Sequence, residues 1–211
     1  MLNFIKNTNM KNLLIAAAVC ASIAASAQNN IKSIEIGAEI PTETQGLVVV
    51  NDKKSVTSLR NTKTSQGLLV MFSCNTCPYV VKSEARTKEI MEYALSKGIG
   101  MIIINSNEAK RGDEDSDKAM AKYAKQMGYK VPYVIDEKSA VADAFGATRT
   151  PEVFLFDGNG KLMYKGAMED NPTSPSDSKE LYLKAAIDKM MVGQVPDPAS
   201  TKSIGCTIKR M

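Results

Sequence analysis

The sequence predicts an α/β protein: a central mixed β-sheet with helices on both of its faces. Two continuous apolar runs, residues 67–73 (GLLVMFS) and 98–107 (GIGMIIINSN), have strand length and lack alternation, the mark of strands covered on both sides. Each is followed by a segment whose apolar residues recur at helical spacing. The third observation is residues 148–166 (TRTPEVFLFDGNGKLMYKG), which read as a hairpin turned at Gly158-Asn159-Gly160 and so add antiparallel strands to a parallel start.

The elements follow in order. Residues 31–41 (IKSIEIGAEIP) and 45–56 (QGLVVVNDKKSV) read as two short β segments, the second turning at Asn51-Asp52. The run at 67–73 is the central strand. From Pro78 to Lys97, apolar Val81, Ala85, Ile90, Met91, Ala94 and Leu95 alternate with charged residues as in an amphipathic helix. Pro78 suits its first turn, and Gly98 suits its C-terminal cap. A second strand, a helix over 115–128 ending at Gly128, a third strand in VPYVIDE (131–137) and a short helix over 139–147 come next. After the hairpin, residues 174–191 predict a closing helix, with Asp177 or Ser178 as N-cap and Glu180 in its first turn. The tail, 193–211, has no clear period and reads as an extension carrying Cys206.

Composition bounds the function. The 211 residues, 44% hydrophobic and 24% charged, suit one globular domain with appended segments. The formal charge of +4 includes Lys6 and Lys11; without them it is about +2, too little for a nucleic-acid partner. Residues 1–27 combine those lysines, an apolar stretch from Leu13 to Ala25 and a small-x-small site at Ala25-Ser26-Ala27, the pattern of a secretory signal peptide. The stretch is shorter than the roughly 20 residues that span a bilayer, so no stable membrane span is expected. A lipid anchor on Cys20 is the lesser option, because Val19 is larger than the residue normally found before such a cysteine. The mature domain is then expected over 28–192, in an exported, periplasmic or secreted protein.

Export places the remaining cysteines, Cys74, Cys77 and Cys206, where disulfides persist, and the odd number leaves one thiol over or paired between molecules. Cys74 and Cys77 stand two residues apart where the central strand ends and a helix begins. Unsatisfied N–H groups and the partial positive charge at a helix start favour a thiolate. On this reading Cys74 faces solvent and attacks, and the more buried Cys77 resolves the mixed disulfide. As a mere staple the pair would close too small a loop to stabilise much. Cys206 is open between a buried structural thiol, a third redox thiol reaching Cys74 and a link between subunits. The acids of GDEDSDK (112–118) read as a solvated loop and helix start, lacking calcium-loop spacing.

Taken together, IGAEIP, LLVMFSCNTCPYV, IIINSN, VPYVIDEKSAVADAFGATRTPEVFLFD and GKLMYKGAMEDN, in that order over about 34–192, resemble thioredoxin-fold proteins of the redoxin, peroxiredoxin-like group. GCTIK around Cys206 resembles a C-terminal element of that group. The resemblance implies a thioredoxin-like fold, a cis peptide before Pro151 beside the cysteines, and backbone groups of Thr150 offered to an extended substrate. It makes Asn75, Thr76 and Arg149 supporting residues, Asn75-Thr76 helping to set the reduction potential.

The departures also count. Ser73 stands where thioredoxins carry Trp, and Leu68 lies in a strand where they carry a buried acid, so no general base for Cys77 is identified. Thr76 and Arg149 stand where many relatives carry His and Cys, and the chain contains no His. Arg149 is either a helper of a nearby thiolate or a solvated surface group.

The leading expectation is therefore an exported thiol–disulfide oxidoreductase acting on protein disulfides or thiols, recharged by an unidentified electron donor, without cofactor or metal. Its first rival is a thiol peroxidase with Cys74 attacking the peroxide and Cys77 or Cys206 condensing with the sulfenic acid. Against it, Gly67 and Met71 occupy the Pro and Thr positions of the peroxiredoxin motif. The second rival, a copper carrier, lacks the histidine such carriers generally add.

Overall fold

The computed structural model describes residues 31–42, 46–52 and 55–211, so the predicted signal segment lies outside the described residues. A five-stranded sheet forms the centre, in the spatial order Tyr133–Ile135, Gly100–Asn105, Leu68–Ser73, Glu152–Phe156 and Leu162–Gly166. Strands β3 (Leu68–Ser73), β4 (Gly100–Asn105) and β5 (Tyr133–Ile135) run parallel. β7 (Glu152–Phe156) pairs antiparallel with β3, and β8 (Leu162–Gly166) returns antiparallel on β7 through the hairpin that Gly160, at φ +80°, permits. The expected mixed sheet is present, with β3 in its middle.

Every residue of β3 and β4 is buried, as their unbroken apolar sequences require, and the pleat sends alternate side chains to opposite layers. On one side Leu69, Met71, Met101 and Ile103 pack with α3 (Glu84–Ser96), α4 (Asp117–Met127) and α6 (Tyr182–Met191). On the other, Leu68, Val70, Phe72, Ile102 and Ile104 meet Leu59 of α1 (Leu59–Thr62) and Phe145 of α5 (Ala140–Phe145). Phe145 stands edge-on to Phe72, Phe154 and Phe156. Truncating this ring, in Phe145→Ala, is expected to cost about 3–5 kcal/mol of stability, read as a shift in urea unfolding with an unchanged slope.

Four expectations need correction. Residues 31–41 contribute only an isolated bridge, Glu39 to Lys161, beside a turn at Gly37 (φ +86°). Residues 45–56 instead close a two-stranded ribbon of β1 (Leu47–Val48) and β2 (Val56–Thr57). The single helix expected over 78–97 divides at Ser83 into α2 (Pro78–Lys82) and α3. Ser83 is fully buried, and its hydroxyl turns to the Pro172 carbonyl at 3.5 Å. The closing helix starts only at Tyr182, since Asp170 accepts from the N–H groups of Lys179 and Glu180 and holds them in a loop.

The tail is ordered rather than loose. It runs beside β8, with Thr201 donating its N–H to the Lys165 carbonyl at 3.0 Å. It then forms β9 (Cys206–Thr207), antiparallel to β6 (Arg149–Thr150). Among the described residues, no helix is long and apolar enough to cross a membrane.

Candidate active site

Strand β3 delivers Cys74 at its C-terminal end, and Cys77 is the N-cap of α2 with Pro78 in the first helical position, as expected. The Thr150–Pro151 peptide is cis. It brings Thr150 against both cysteines: its hydroxyl is 3.5 Å from Cys74 Sγ, and its carbonyl oxygen is 3.3 Å from Cys77 Sγ. Cys206 is the register partner of Thr150 across β6–β9 and is joined to Cys77 by a disulfide, with the two Cα atoms 6.1 Å apart. Three sulfurs that lie up to 132 positions apart in the chain thus converge on one threonine.

This arrangement changes the expected exposure of the pair. Cys74, expected to face solvent, is a free thiol only 2% exposed, and Cys77 is 6% exposed. The half-buried Cys206 and the tail around it cover them, leaving a small cleft of about 160 Å3 lined by Cys74, Thr76, Cys77, Cys206, Lys110 and Lys209. The electrostatics follow. Burial pushes the Cys74 thiol up from its ordinary pKa and the carboxylate of Asp115 adds to this, against the Thr150 hydroxyl and the N–H groups of Cys77 and Thr76. In this disulfide form the helix start does not win, because a buried sulfur loses more solvation than two amides return.

Asp115 is the residue that sequence reasoning missed. It lies in the stretch read as a solvated loop, yet it is fully buried beneath the cysteine loop. Its Oδ1 accepts from the Asn75 N–H at 2.9 Å and from Asn105 Nδ2 at 2.8 Å, and its Oδ2 accepts from Asn107 Nδ2 at 2.8 Å. These bonds offset the cost of burying the carboxylate. Asn75, predicted as a supporting residue, turns inward: it donates to the Glu114 carbonyl and accepts from the Tyr133 hydroxyl at 2.9 Å. The one legible sign was the Asn-Ser-Asn that starts at the last residue of β4 after four apolar residues, at the same end of the sheet as the cysteines.

The network continues into the tail. Asn107 Oδ1 accepts from the Lys209 N–H at 2.9 Å, and the Ala109 N–H donates to the Lys209 carbonyl at 2.9 Å. Arg149 belongs to the same fastening: its guanidinium donates to the Gly205 carbonyl and to the Thr207 hydroxyl at 3.3 and 3.2 Å. Thr76 remains exposed at the mouth of the cleft.

Comparison with known proteins agrees with this frame: the Redoxin family model matches residues 28–183. The chain belongs to the redoxin family. Among solved structures, this redoxin is similar to an uncharacterized conserved protein from Geobacillus kaustophilus, at 32% identity over 84% of this chain and 93% of that one, with a TM-score of 0.75. A hypothetical protein from Sinorhizobium meliloti 1021 is comparable, at 31% identity over 85% and 97% of the two chains and a TM-score of 0.73. A putative thiol:disulfide interchange protein DsbE from Chlorobium tepidum shares the fold at 19% identity, over 76% and 98%, with a TM-score of 0.53. A search of curated proteins found no significant match.

Proposed function

We propose that this redoxin is an exported thiol–disulfide oxidoreductase in which Cys74 attacks the disulfide of a protein or small thiol partner and Cys77 resolves the mixed disulfide. The observation that carries the reading is the convergence of the cysteine loop and the cis-proline loop, with Thr150 touching both Cys74 and Cys77. An extended partner would take the Arg149–Thr150 edge that β9 occupies in this disulfide form, because strand pairing supplies affinity without demanding a sequence. The order of steps follows the chemistry. The Cys74 thiolate displaces one sulfur of the partner, and Cys77, three residues on at the helix start, displaces the other from the mixed disulfide. Export is proposed from the N-terminal pattern, and the electron donor is a thiol partner of unspecified identity.

The rival readings have less support. The cation near the cis-proline loop, Arg149, is engaged with the tail rather than with Cys74, so Arg149 is not placed to polarise a peroxide there. For copper, one of the two expected thiolate ligands, Cys77, is held in a disulfide. A stopped-flow comparison on the reduced mature protein separates the first two chemistries. Oxidation by a peptide disulfide is expected to be fast, and oxidation by hydrogen peroxide no faster than that of a free thiol. The reverse order would overturn the proposal in favour of a thiol peroxidase.

A further inference from the structure

The disulfide sits on Cys77 and Cys206, not on the Cys74-x-x-Cys77 pair, and this leaves Cys74 a free thiol. The tail that supplies Cys206 is built to lie there. Gly205 packs against the cis-proline loop so closely that a Cβ would meet the Thr150 carbonyl oxygen at 2.2 Å. Ile208 is 3% exposed in the core, and its N–H donates to the Thr148 carbonyl at 3.0 Å. Arg210 pairs with Asp143 at 2.7 Å and donates to the Ala147 carbonyl. Arg149, Asn107 and Ala109 hold the segment from its two flanks. These contacts, besides the disulfide, set Cys206 beside Cys77.

We propose that Cys206 is a third redox residue, which takes the disulfide over from Cys74 and Cys77 so that a completed exchange ends with Cys77–Cys206 oxidised and Cys74 reduced. The proposal rests on the exchange reading above and deepens it. The partner disulfide is first reduced by two electrons, leaving a Cys74–Cys77 disulfide and two partner thiols. The Cys206 thiolate then attacks Cys77 Sγ. The Cys77–Cys206 bond forms, the Cys74–Cys77 bond breaks, and Cys74 leaves as a thiolate that takes up the proton Cys206 gave up. No external oxidant or reductant enters this step.

Its consequence is directional. The oxidising equivalent moves from Cys74, 2% exposed, to a bond whose outer sulfur belongs to a half-buried residue at the surface. A dithiol donor meets the protein at Cys206, while Cys74, covered by the tail in this form, is kept from reversing the transfer. Meanwhile β9 occupies the edge of Arg149 and Thr150 that an extended partner would use, so the oxidised protein presents no free edge there.

The test starts from the fully reduced, full-length mature protein and one equivalent of a bridged peptide disulfide. Acid quenching, alkylation and peptide mass mapping then locate the bond. The expected end state is Cys77–Cys206 with alkylated Cys74, reached through a transient Cys74–Cys77 bond. Cys206→Ser is expected to consume the same equivalent but to stop at Cys74–Cys77, and Gly205→Ala to prolong that intermediate. An end state of Cys74–Cys77 in the unaltered protein would overturn the relay and leave the exchange reading standing. A Cys77–Cys206 bond that resists excess dithiothreitol until the protein unfolds would show a structural staple and overturn the relay. No reaction with the peptide disulfide at all would overturn the exchange reading itself, and the relay with it.

Discussion

Replacing Cys74 by serine is expected to lower the rate of disulfide exchange by on the order of a thousandfold or more, because a hydroxyl does not ionise at neutral pH and, in the proposed order of steps, Cys77 and Cys206 do not attack the partner. The fold should not suffer. Serine is nearly isosteric, and its hydroxyl keeps a partner in the Thr150 hydroxyl, 3.5 Å from the present sulfur. The Cys77–Cys206 disulfide does not include the Cys74 sulfur, so the variant keeps both of its partners. The check is a single-turnover rate with a peptide disulfide beside a thermal unfolding curve. An unchanged melting temperature with lost exchange assigns the loss to chemistry, and retained exchange would remove Cys74 from the attacking role.

Asp115 is expected to have the second largest effect, in two separable parts. In Asp115→Ala the Asn75 N–H and the side-chain amides of Asn105 and Asn107 lose their acceptor inside the protein. Unpaired buried donors cost about 1–3 kcal/mol each, so a total loss of about 3 kcal/mol or more is expected in denaturant unfolding. In Asp115→Asn the shape is nearly kept and the negative charge is removed. That charge raises the Cys74 thiol, so its removal lowers the pKa and should move the pH profile of Cys74 alkylation toward lower pH. Burial acts in the same direction as the carboxylate and remains in the variant, while the new amide faces a donor where a carboxylate oxygen accepted, so an unfolding curve is read beside the pH profile. A profile that does not move would limit Asp115 to holding the loop.

The framework of the fold was legible because it depends on burial patterns that recur locally. The unbroken apolar β3 and β4 could only be covered strands, the period of α3 and α4 announced amphipathic helices, and Gly158-Asn159-Gly160 marked the hairpin. Where the reading failed, a tertiary partner had overruled local pattern. Asp170 reaches nine and ten positions along the chain to hold Lys179 and Glu180 out of α6, and Ser83 breaks its helix while facing a carbonyl 89 positions away.

The site divides in the same way. By itself the sequence determined the cysteine pair at a strand end and the proline, Pro78, that opens the next helix, since each is a short motif whose chemistry is local; the family resemblance supplied the loop carrying Thr150 and Pro151. Only the tertiary structure decided which two sulfurs are bonded, that Cys74 is buried, and which of the acids in GDEDSDK enters the interior. Adjacent in that loop, Glu114 is half-buried and Asp115 fully so, and no periodicity separates them. The physical reason is common to all three: charge, exposure and thiol pairing are set by what packs above a residue. Here that covering is a tail from the far end of the chain, held by Asn107, Arg149 and the close approach of Gly205 to Thr150.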